Sequence, residues 1–143
     1  MELGLNAEQI IQVAHMDQMP DKVETLKQQL LRLPAVQRVG VSHSVPPHVW
    51  EGERYTTKAE PTNVMEIANL RTEADYIELL GLDFTAGRNF DPANQSDRYH
   101  AILNETAVRM LGWGSPDTYA ADSPVGKRVL QAFDDERVIE VIG

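Results

Sequence analysis

The chain has 143 residues, enough for one ordinary domain or two small lobes that bury a core without covalent staples. It is 42% hydrophobic and 24% charged, the balance of a soluble globular chain, and the absence of cysteine excludes disulfides, thiol nucleophiles and thiolate metal sites. The net charge of −9, from 22 acidic against 13 basic residues, repels phosphate backbones, and no basic run offsets it, so no nucleic-acid partner is expected.

No stretch of 18 apolar residues exists to span a bilayer, and the N-terminus lacks the basic and apolar regions of a signal peptide. Residues 9–14 (QIIQVA) form a short apolar run that predicts a strand. A helix is expected next: Pro20 suits a first helical position, Asp21 and Glu24 lie near the positive end of the dipole, and Val23, Leu26, Leu30 and Leu33 recur at spacings of three and four before Pro34 ends the run. Residues 36–42, with Val39 and Val41 on one face, predict a second strand. The order strand, helix, strand favours a right-handed crossover and parallel pairing.

Residues 44–53 (SVPPHVWEGE) carry Pro46, Pro47 and Gly52, which block regular structure, put Val49 and Trp50 on a loop and mark a boundary. Residues 54–59 and 64–70 predict two strands around a turn at 60–63, the beginning of a smaller inserted lobe. From residue 76, Tyr76, Leu79 and Leu80 share a helical face and Gly81 stands where a helix wants a left-handed closing residue. Leu82 and Phe84 then alternate as in a strand, and Gly87 turns the chain into Arg88 and Phe90. After a polar loop over 91–100, residues 101–103 predict a strand, and Asn104 is a good N-cap for a helix through Leu111 that Gly112 closes, with Trp113 just outside. A loop over 114–124 leads to strands at 127–133 and 137–142, a hairpin around Asp134, Asp135 and Glu136.

Catalytic and metal chemistry finds little support. His43 and His48 flank two prolines, but no third ligand sits at supporting spacing, so they read as loop histidines. Asp134, Asp135 and Glu136 lack the alternating oxygens and central glycine of a calcium loop. Ser42 and Ser44 would point to the face of a strand opposite that of their neighbour His43, and no nucleophile elbow is present. Gly126-Lys127 is not a phosphate loop, since Ala121 replaces its first glycine and Arg128 its hydroxyl residue. Arg88 and Lys127 read as candidates for structural ion pairs or carbonyl caps. No acid, base or nucleophile set emerges, so no enzyme is expected.

Tyr76, Leu79, Leu80 and Gly81, followed by Ala86, Gly87, Arg88, Asn89 and Phe90, resemble the "YF..LG.....GR.F" signature of the MacB/FtsX-like permease family of ABC transporters, with Ile77 where the family usually has an aromatic. Two further blocks follow in the family's order. One is the strand and helix start Ala101, Ile102, Leu103, Asn104, Glu105, Thr106 and Ala107; the other is a "P.GK.." block at Pro124, Gly126 and Lys127, before a closing strand of which Val141, Ile142 and Gly143 remain. The similarity runs from about residue 6 to 143 and is thinnest over 49–63.

The resemblance implies an α+β fold with a mixed sheet: a strand-helix-strand, porter-like lobe from residues 7–48 and about 125–143, and a smaller β-rich, sabre-like lobe inserted over about 53–124. It implies a fragment excised from a longer permease, on the periplasmic or extracellular side of the inner membrane, with membrane helices on both sides. It implies no cofactor: ATP would be handled by a separate cytoplasmic subunit or domain, and the permease would act as a homodimer or heterodimer. The domain would pass ATP-driven motion to a substrate or a periplasmic adaptor, in export or efflux. Tyr76, Gly81, Gly87, Arg88, Phe90, Asn104, Glu105, Gly126 and Lys127 would then be structural signature residues. Val49 and Trp50 are the candidate partner contact, with Trp50 either a binding anchor or a lid on the core. The alternative is a free-standing solute-binding or sensor domain that takes a small ligand between two lobes.

Overall fold

The computed structural model describes residues 9–45, 52–132 and 137–143. It is an α+β fold in two compact units. One takes the described residues up to Ser42 together with Thr72–Leu82, and the other takes His43–Arg71 and Asp83–Gly143.

The first unit is helical. Short 3-10 turns at Met16–Gln18 and Pro20–Lys22 lead into α1 (Val23–Leu30), and α2 (Ala74–Leu79) follows the return of the chain at Thr72. Proline at the start of the second turn and Glu24 in the first turn of α1 match the expected helix start. Helix α2 buries Ala74, Tyr76 and Ile77, with Leu80 just beyond it. Residue 40 has to be glycine here, because a Cβ would stand 2.6 Å from the Tyr76 Cα. Lys27 joins the helices by bonding Asp75 at 2.6 Å and Glu73 at 3.1 Å, and the bond from Asp75 raises the Lys27 pKa.

Two expected strands are absent from this unit. Residues 9–14 pair with no described segment and leave Ile11 89% exposed, because an apolar run becomes a strand only when a neighbour completes its ladder. Residues 36–42 make a single bridge, Ser42 to Thr72, so no parallel strand-helix-strand unit forms among the described residues.

The second unit is a five-stranded mixed sheet in the order β2-β1-β4-β5-β3. Its strands are β1 (Gly52–Thr57), β2 (Met65–Ala68), β3 (His100–Ala101), β4 (Arg128–Gln131) and β5 (Val138–Val141). Strands β1 and β2 form an antiparallel hairpin, β4 pairs antiparallel with both β1 and β5, and β3 lies parallel to β5. The strands expected in the porter-like lobe, β4 and β5, therefore share one sheet with the β1–β2 hairpin assigned to the inserted lobe.

Helix α3 (Glu105–Met110) covers part of the sheet, with Leu111 joining Tyr55 and Val129 in a core flanked by Met65, Ile67, Leu103, Trp113 and Ile139. Asn104 caps α3 by accepting from the Ala107 amide at 2.9 Å. Both α2 and α3 close in the paired bonds of a Schellman motif. In α3 the Gly112 amide reaches Arg109 O and the Trp113 amide reaches Val108 O, which holds Trp113 against the core. The equivalent bonds of Gly81 and Leu82 turn the chain out of α2, and residues 82–84 run on without strand pairing, correcting the expected alternation there.

Gly87 adopts φ +81°, and a Cβ there would lie 2.1 Å from the Ile142 carbonyl oxygen. Gly112 has φ +71° but open space around it. Gly87→Ala should therefore destabilise by more than about 2 kcal/mol, and Gly112→Ala by about 1 kcal/mol, in urea unfolding. Equal losses would mean that backbone strain alone, not the contact with Ile142, sets the cost.

Candidate functional site

The residues singled out from the sequence in the second unit gather at the end of β5. Arg88 N donates to Ile142 O at 2.9 Å, Gly126 N to Val141 O at 2.7 Å, and Leu103 N to Gly143 O at 2.9 Å. In return Val141 N reaches Lys127 O and Ile142 N reaches Ala101 O, each at 2.9 Å. Val141 is fully buried. Blocks spread between residues 88 and 127 thus close on three consecutive residues through main-chain bonds, which explains the glycine at 87, where the backbone approaches too closely for a side chain.

Arg88 carries a second task. Its guanidinium makes a forked pair with Asp97, at 2.6 and 2.9 Å, while also capping Asn89 O at 2.8 Å. The Asp97 side chain is 4% exposed and accepts further bonds from the Asp91 amide at 2.7 Å and Asn94 Nδ2 at 2.8 Å, with His100 Nδ1 at 3.0 Å. A buried carboxylate is tolerable only when so surrounded by donors. The Arg88 bonds first, then the Asp91 amide, hold the Asp97 carboxyl well below the usual carboxylate range. The cluster ties residues 88–91 to the 3-10 turn Gln95–Tyr99 and the start of β3.

A second polar network joins β1 to the end of β4 and to the segment that follows β2. Glu53 accepts from Gln131 Nε2 at 2.8 Å, from Arg71 at 3.1 Å and from the Tyr55 hydroxyl at 3.1 Å, and Asn69 Nδ2 donates to that hydroxyl at 3.3 Å. Burial pushes the Tyr55 phenol pKa up. Neither Asp97 nor Glu53 stood out in the sequence, because their partners lie up to 78 residues away or in an irregular loop. The Asn94–Asp97 spacing is the one local signal, since Asn94 also caps its turn through the Ser96 amide.

The remaining candidates are dispersed. Tyr76 is buried in the first unit, where burial raises its pKa and Ser42 opposes the shift. Gly81 closes α2 at φ +64°. Phe90 is half-buried, its amide bonded to Asn89 Oδ1. Glu105 is exposed and paired along α3 with Arg109. Lys127 pairs with Asp122 at 2.8 Å and stands 5.6 Å from the Trp113 ring centre. His43 bonds through its backbone to Arg71, whereas His48, Val49, Trp50, Asp134, Asp135 and Glu136 lie outside the described residues. Among the described residues no group of three or more metal-ligating side chains converges, and no helix is long and apolar enough to cross a membrane.

No family model and no curated protein matches the chain. Among solved structures it is similar to the periplasmic region of MacB from Actinobacillus actinomycetemcomitans, at 18% identity and a TM-score of 0.53 over 84% of this chain. The likeness is one of fold, and the chain spans about half, 48%, of that structure's length.

Asp97 yields a pH-dependent prediction. Its folded pKa lies below the unfolded value of about 3.9, so the stability it contributes is fully present above that pH and lost as pH falls toward the folded value. Asp97→Asn should lower the urea midpoint at pH 7, with the gap to the parent narrowing below about pH 4. An equal gap at pH 7 and pH 3 would show that the charge contributes nothing. Asn104→Ala, which removes only a helix cap, should cost about 1 kcal/mol in the same assay at pH 7.

Proposed function

We propose that the chain is the extracytoplasmic domain of a MacB/FtsX-like ABC transporter permease, facing the periplasm or the cell exterior, and that it works as a mechanical module without catalysis of its own. One observation carries the reading: three sequence blocks that resemble the family's signature meet at the end of one strand, in a fold shared with the periplasmic region of MacB. The main-chain knot there is a role that a recurrent signature would need to fill.

On this reading ATP hydrolysis by a cytoplasmic subunit or domain moves the membrane helices, and the domain passes that displacement to a substrate or a periplasmic adaptor, in export or efflux. A soft body would absorb the motion. The second unit is suited to pass it on, since β5 is held along β4 and β3 and its end is fixed from three directions. The permease would act as a homodimer or heterodimer.

These 143 residues contain no cysteine, so a cysteine placed among them reports on this domain once any cysteines elsewhere in the parent are replaced by serine. Thr62→Cys, in the exposed turn between β1 and β2, is placed in the full parent reading frame and treated with a membrane-impermeant maleimide in spheroplasts. Labelling before lysis is expected, together with hydrophobic spans flanking the domain on a scan with a window of about 19 residues. Labelling only after lysis would overturn an extracytoplasmic domain of either kind, and a parent without spans would overturn the permease reading in favour of a free-standing periplasmic binding module.

A further inference from the structure

At one end of the β1–β4 ladder lies an open groove of about 400 Å³, lined by Thr57, Lys58, Ala59, Trp113 and the run from Gly126 to Arg128. That volume falls within the range of small-molecule sites. Three of the lining residues are cationic in a chain of net charge −9. Thr57 and Val129 form the last ladder pair, so Lys58 and Arg128 leave the same end of neighbouring strands. Like charges placed together in this way are unfavourable unless something negative joins them.

Two of the three charges are already met: Lys127 by Asp122 at 2.8 Å, and Arg128 by Glu140 at 2.9 Å. Lys58 has no ion pair among the described residues. Among the described residues the groove thus keeps one positive charge without an ion pair, which fits a monoanion better than a phosphate dianion. Its half-buried Trp113 indole, approached by Lys127 Nζ at 5.6 Å from the ring centre, offers the remaining aromatic surface, held by the α3 closing motif and the core. Thr57 is 6% exposed; its Oγ1 accepts from the Glu60 amide, which leaves the hydroxyl proton available as a donor. Around Gly126 the space where a side chain would stand is empty.

We propose that this groove binds a small amphiphilic carboxylate, its apolar body on Trp113 and Ala59 and its head group at Lys58 and Thr57. The site belongs to the second unit alone and stands whether or not the domain serves a permease.

The test is an amide-resolved NMR titration of the 143-residue chain with 1-naphthoate, with 1-naphthylmethylamine and inorganic phosphate as parallel probes. Saturable shifts are expected at the Trp113 indole N–H and at the amides of Lys58, Gly126 and Lys127, with naphthoate alone. Lys58→Gln, an exposed change that should leave melting unaltered, is expected to weaken naphthoate about fivefold, the effect of one surface charge. No saturable shift, equal binding of the amine or of phosphate, or full affinity in Lys58→Gln would each overturn the proposal.

Discussion

The second unit depends on how the backbone of Val141, Ile142 and Gly143 is satisfied. Buried backbone amides and carbonyls must find partners, and an unmet one costs on the order of a lost hydrogen bond or more. Here the carbonyls of all three residues accept from amides of three different segments, at Gly126, Leu103 and Arg88. Those segments lie outside the regular strands and helices, and these bonds tie each of them to the residues that follow β5 or end it. The constraint also reaches the side chains: bringing Arg88 to Ile142 places its guanidinium beside Asp97, where the buried carboxylate organises the loop that leads into β3.

Much of this was legible in the sequence, for local reasons. The β1–β2 hairpin, the Asn104 cap, the glycines that close α2 and α3, and the pairing of β4 with β5 all follow from turn residues and short-range periodicity. The failures are equally physical. Residues 9–14 have the right composition for a strand, but strand formation is decided by a partner that no local pattern reveals. The same blindness hid Glu53 and Asp97, whose importance comes from donors brought in by folding. Chain position alone could not reveal that β1 supplies the neighbour of β4, because that pairing joins residues more than 70 apart.

For function, the structure speaks more to stiffness than to chemistry. The carboxylates of Asp97 and Glu53 each accept from several donors that fold back onto them from other segments. A body built this way suits the proposed role of carrying displacement, and the groove beside Trp113 gathers three cationic side chains.

Native-state hydrogen exchange tests the central claim most directly, that the closure of the strand end makes the second unit a stiff body. The account predicts that the amides of Arg88, Leu103, Gly126 and Ile142 exchange among the slowest and at a common rate, as one cooperative unit with β4 and β5. Fast exchange at Arg88 and Gly126, at the pace of exposed loop amides, would contradict it and remove the physical basis for a module that transmits motion.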